Sequence, residues 1–84
     1  MQPYLNVSGD SGIVEYENRP DSIIVRFRKS DLYVYPSERV GRHHIEQMKR
    51  LAVSGKGLST YISQHRDVRY GYVKYDPKIH GELE

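Results

Sequence analysis

The run Ser22-Ile23-Ile24-Val25-Arg26-Phe27-Arg28-Lys29-Ser30-Asp31-Leu32-Tyr33-Val34-Tyr35-Pro36 decides how the rest of the chain is read. Side chains of a strand repeat every two residues. In the first half Ile23, Val25 and Phe27 therefore share one face, and Ile24, Arg26 and Arg28 the other. In the second half Leu32 and Val34 alternate with Tyr33 and Tyr35. The polar Lys29-Ser30-Asp31 between them has the length of a hairpin connection. Two antiparallel strands are predicted, with the more apolar Ile23/Val25/Phe27 face turned towards whatever covers the sheet. Which face of the second strand accompanies it depends on register, and a slip of one residue reverses the answer.

Upstream, residues 13–17 alternate, placing Val14 and Tyr16 on one side and Ile13 and Glu15 on the other, while Asn18-Arg19-Pro20-Asp21 has turn chemistry. A three-stranded meander follows. Residues 1–12, rich in Pro, Asn, Ser, Gly and Asp, read as a mobile lead-in. Downstream, Pro36 cannot donate to a ladder and should end the third strand. Residues 37–41 read as a connection. Ile45, Met48, Leu51 and Ala52 then recur at helical spacing over residues 42–53. Glycine in Ser54-Gly55-Lys56-Gly57 ends that helix, since glycine accepts the left-handed conformation of a helix C-terminus. A second helix over residues 58–65 aligns Leu58, Tyr61, Ile62 and His65. Residues 68–75 read as a fourth strand, loosened at Gly71, and residues 76–84 as a frayed end whose last pair, Leu83-Glu84, resembles a cloning remnant. The expected fold is α+β: a three- to four-stranded antiparallel meander with two helices packed on one face. It forms a single domain over residues 1–84, its core at about 11–75 between flexible ends.

Eighty-four residues suffice for one core; a chain of this size buries roughly 60–65% of its unfolded surface. Eight Tyr and one Phe supply that core with large contact areas. Cysteine is absent, which excludes disulfides and thiol chemistry and fits the reducing cytoplasm. No apolar run approaches the length of a membrane span and no signal peptide opens the chain, so a cytoplasmic protein without membrane contact is expected. A net charge of +2 does not by itself call for nucleic acid. The distribution is more informative, with Arg26, Arg28 and Lys29 together on the hairpin.

Tyr33 and Tyr35, two apart on one strand, project from the same face roughly 6.5–7 Å apart. With Arg26 and Arg28 on the neighbouring strand, and Lys56 further on, they form a candidate platform on which RNA bases stack while cations meet phosphates. The plain alternative places both rings in the core beneath the helices. Ser54, Gly55, Lys56 and Gly57 form a second candidate, an anion-binding loop of backbone N–H groups and a lysine before a helix. Its spacing is not that of a P-loop, and a simple helix–helix corner explains the same glycines. His43 and His44 are adjacent and point about 100° apart on a helix, while His65 and His80 are distant in sequence; no metal site and no cofactor are expected. No spacing ties a nucleophile to a base, so no catalytic residues are expected and the chain reads as a non-enzyme. The expected partner is RNA; the alternative is a protein-interaction or homo-oligomerising module.

Taken in order, Ser11-Gly12-Ile13, Tyr16, Ile23-x-Val25-x-Phe27, Tyr33-x-Tyr35, Val40, Ala52-x-Ser54 with its nearby glycine, and Ile62 resemble the KTSC domain. This is a short bacterial family also found at the C-terminus of some lysyl-tRNA synthetases. The resemblance covers residues 11–72, with Ser30 where the family carries Gly and Leu58 where it carries an aromatic residue. It implies a small domain of uncharacterised function, for which the synthetase context raises the expectation of RNA binding.

Overall fold

The computed structural model describes every residue except Ser8, Asp10, Lys29 and Ser30, so most of the predicted hairpin turn lies outside the described residues. Among those described, five antiparallel strands lie in chain order: β1 (Gln2–Pro3), β2 (Ile13–Arg19), β3 (Ser22–Phe27), β4 (Leu32–Pro36) and β5 (Val73–Lys74). The meander of β2, β3 and β4 forms where the alternation places it, and β4 stops at Pro36. Ile23 pairs with Tyr35 and Val25 with Tyr33, so both tyrosines share the face of Ile23, Val25 and Phe27.

Helices cover that face: α1 (Ser37–Val40), α2 (Arg42–Ser54), α3 (Leu58–Gln64) and α4 (Arg66–Arg69). Ile13, Tyr16, Ile23, Val25 and Tyr35 of the sheet meet Val40, Ile45, Met48, Ala52, Leu58, Ile62 and Val68 in one core. Burying each large apolar side chain contributes about 1.5–3 kcal/mol, and the helical spacing of α2 exists because one of its faces is committed to this contact. Gly55 ends α2 in the left-handed region at φ 82°, its N–H donating to the carbonyls of Leu51 and Ala52. The α+β class and the antiparallel sheet stand, although the described residues hold five strands and five helices rather than three to four strands and two helices. None of the described helices is long and apolar enough to cross a membrane.

Four departures have physical causes. A β-bulge between Ile13 and Glu15 adds one residue to β2, so Ile13 and Tyr16 both face the helices while Val14 turns outwards. Residues 37–41, expected as a plain connection, contain the single turn α1. The predicted fourth strand shrinks to Val73–Lys74 because the chain coils through α4 and then drives Gly71 into the fold. A Cβ at Gly71 would lie 2.3 Å from Val40 Cγ1 and 2.6 Å from the Asp67 carbonyl oxygen. Finally, both ends make specific contacts with the fold, although Leu5, Val7 and Ile79 stay exposed. Gln2 and Pro3 pair with Tyr16 and Glu15, and Tyr4 is buried with its hydroxyl 3.3 Å from the Leu58 N–H that donates to it. At the other end α5 (Pro77–His80) is capped by the Asp76 carboxylate, which accepts from the Lys78 N–H at 2.9 Å. Arg19, on the sheet face away from the main core, donates to the carbonyls of His80 and Glu82 and fastens this tail.

Candidate aromatic binding groove

The register that buries the Ile23/Val25 face separates the residues expected to form the stacking platform. Tyr35 is only 2% exposed and belongs to the core, and Tyr33 is half-buried beside it. Arg26 pairs across the ladder with Leu32 and so points to the opposite face, where its Nε donates to Glu15 at 2.9 Å. Arg28 is exposed beyond the end of β3, and Lys56 is exposed in the α2–α3 corner. A flat platform of Tyr33, Tyr35, Arg26, Arg28 and Lys56 is therefore not what the chain builds. Alternation reverses at each step along a strand, and Arg26 is one step out of phase with the residues that face the tyrosines.

In the Ser54-Gly55-Lys56-Gly57 loop Gly55 is buried and several polar groups are bonded within the fold. The Gly55 carbonyl accepts from the Val7 N–H at 2.8 Å, the Ser54 hydroxyl donates to the Leu51 carbonyl at 2.9 Å, and Gly57 enters α3 at φ 84°. The first N–H of α3 already meets the Tyr4 hydroxyl. These bonds are those of a structural joint, with Lys56 outside it.

The aromatic side chains gather elsewhere. Between the β4–β5 end of the sheet and α3–α4 lies a groove of about 300 Å³, lined by Phe27, Tyr33, Tyr35, Tyr72, Tyr70 and Arg69 against Ile62. Tyr33 is the hub: its ring centroid is 5.5 Å from Phe27 and 4.4 Å from Tyr72, both tilted, and Tyr72 lies 6.2 Å from Tyr35. Tilted pairs at these separations suit the ring quadrupoles. Tyr35 forms the floor; burial first, then the neighbouring phenols of Tyr33 and Tyr72, push its own phenol well above the ordinary range, so it stays neutral. At the rim Tyr70 is 64% and Tyr72 37% exposed, and the Arg69 guanidinium sits 5.5 Å from the Tyr70 ring centroid. Such a site offers planar apolar walls to a flat ligand and one cation to an anion beside it.

Half of this groove escapes a reading by strand periodicity. Taken as a strand, residues 68–75 place Val68, Tyr70 and Tyr72 on one face, whereas α4 turns Val68 into the core and leaves Tyr70 at the rim. The available signal was the density of tyrosine at positions 70, 72 and 75 around a glycine. Among the described residues no group of three His, Asp or Glu is arranged to hold a metal ion. No family model, curated protein or solved structure matches the chain.

Proposed function

We propose that this chain is a non-enzymatic module that binds single-stranded RNA, taking an unpaired base into the aromatic groove. The observation that carries the reading is the convergence of Phe27, Tyr33, Tyr70 and Tyr72 on one concavity with Arg69 at its edge. Every base has a π-face, and stacking one on an aromatic side chain contributes about 1–3 kcal/mol. Large aromatic rings left at the rim of a concave site mark a place where a partner covers them. Arg69 supplies the charge that a backbone phosphate requires. The resemblance to the KTSC domain, with its synthetase context, supports RNA as the nucleic acid.

Fluorescence-anisotropy titration with short single-stranded RNA tests this. Tyr72→Ala and, separately, the more exposed Tyr70→Ala are expected to weaken binding roughly 5- to 150-fold, the range that one lost stacking contact represents. Arg26→Ala, on the opposite face, should leave the affinity unchanged. Absence of binding by a folded sample overturns the reading, as does equal sensitivity to Arg26→Ala and Tyr72→Ala. A sample that ignores RNA but grows in size with concentration would favour the homo-oligomer instead.

A further inference from the structure

One wall of the groove, Ile62, Arg69 and Tyr70, is carried by the α3–α4 arm. Where that arm meets α2, the adjacent His43 and His44 come together with His65, which is distant in sequence. The rings of His43 and His44 are 4.0 Å apart between centroids, and His44 is 5.1 Å from His65. His65 in turn stacks on Tyr61 at 4.0 Å with 26° between planes. Two hydrogen bonds tie the group: His44 Nδ1 lies 2.7 Å from the Tyr61 hydroxyl, and His65 Nδ1 lies 2.8 Å from the Tyr61 carbonyl oxygen. A carbonyl only accepts, so His65 Nδ1 carries a hydrogen. His44 is buried.

The charged and titratable groups around them are few. Asp67 of α4 faces the cluster, and Glu38, Arg39 and Arg66 line the cleft that His43 borders. Burial raises the Tyr61 phenol, which therefore remains neutral. For His44, burial first and then the neighbouring His43 and His65 disfavour the charged ring, with Asp67 pulling the other way, and the balance lies below the ordinary imidazole value of 6.5. Among the described residues Asp67 is the carboxylate that acts on His44, and it does not reverse the balance.

We propose that His43, His44 and His65 form a proton-sensitive latch that holds the α3–α4 arm, and with it one wall of the groove, against α2. Neutral rings pack together, His43 tilted against His44 and His44 edge to face with His65, and close the joint. Protonated rings at the same separations repel one another, and His44 must charge inside the fold, so the joint loosens. The sign follows from the lowered value of His44: the closed joint is fully favoured above the unfolded-chain value of 6.5 and is lost as pH falls towards the value in the fold. Each proton taken up on opening shifts the open-to-closed ratio by up to tenfold per pH unit. The latch acts on the shape of the groove and stands whatever ligand the groove takes.

NMR of the histidine Cε1–H and backbone amide signals of the full chain between pH 8 and 5 tests it without any ligand. His44 is expected to titrate below 6.5. The Ile62, Arg69 and Tyr70 amides should move with the His44 midpoint while the Ile24 amide stays still. His43→Gln, which removes one neighbouring charge from an exposed position, should raise the His44 midpoint. His44→Gln should flatten the fall of the urea midpoint with acid. The proposal is overturned if His44 titrates at or above the value of an unfolded chain, or if Ile62 and Tyr70 do not follow it. Should His44→Gln fail to fold, the wild-type Ile62 and Tyr70 amides and the direction of the His43→Gln shift decide.

Discussion

At Gly71 the backbone passes so close to Val40 and the Asp67 carbonyl that hydrogen is the one side chain the site admits. The added methyl of Gly71→Ala would lie 2.3 Å from Val40 Cγ1 and 2.6 Å from the Asp67 carbonyl oxygen. One of the two contacts is backbone, which cannot swing away, so the strain must move α4 relative to α1. Overpacking of this kind costs about 1–3 kcal/mol. Gly71→Ala is expected to lower stability by that amount in urea denaturation and to displace Tyr70 and Tyr72, the residues on either side. Gly12→Ala is the control: its Cβ would meet nothing within 4 Å and its φ is not in the left-handed region, so a change within about 0.5 kcal/mol is expected. Equal stability of the two variants would mean that α1 and α4 are not pressed together here.

Elements long enough to repeat a pattern are legible in the sequence, and shorter ones are not. In β3, β4 and α2 each apolar residue is confirmed by another two or three to four positions away, and the structure has them where the pattern does. Two-residue strands such as β1 and β5 carry no period, and the bulge in β2 breaks the one that strand has. For the groove, Tyr33 and Tyr35 announce an aromatic site, but register alone decides that they face the helices rather than Arg26. The approach of His65 to His44 is a tertiary contact with no local signal. The C-terminal tail is the clearest case, since nothing local shows that Arg19 and Glu17 of β2 hold it. Burial raises the Glu17 carboxyl, yet the Glu84 N–H donating to it at 2.6 Å, together with Arg19, more than offsets this and leaves it below its usual value of 4.5. A carboxylate lowered by folding contributes stability above the unfolded value that is lost as pH falls below it. Amide signals of residues 80–84 should therefore drift towards unstructured positions as pH drops below 4.5. Glu17→Gln, which cannot titrate, should remove that drift; its persistence in the variant would assign the acid response to another group.

For the whole molecule, the question is whether binding would come from a local site or from diffuse positive charge. The net charge is only +2, and part of the basic surface is already paired, with Arg42 at 3.1 Å from Asp21 and Lys74 at 3.9 Å from Asp31. Arg26 is likewise held by Glu15, on the face away from the groove. What remains near the groove is Arg69 at its rim and, across Tyr70, Arg39 and Arg66 in the adjoining cleft. A domain measuring 33 × 23 × 20 Å with cations so placed meets two or three phosphates rather than a long stretch of backbone. Each phosphate neutralised on a single strand contributes about −0.7 to the slope of log affinity against log salt. The slope for single-stranded RNA is thus expected near −1.4 to −2.1, a loss of roughly 7- to 20-fold between 50 and 200 mM salt. Duplex RNA should bind far more weakly, because its bases are stacked inside the helix and cannot enter a groove of about 300 Å³. The check is an anisotropy series over salt with both forms of RNA. A much steeper slope, with duplex and single strand bound alike, would mean that scattered surface charge does the binding and that the aromatic groove has another purpose.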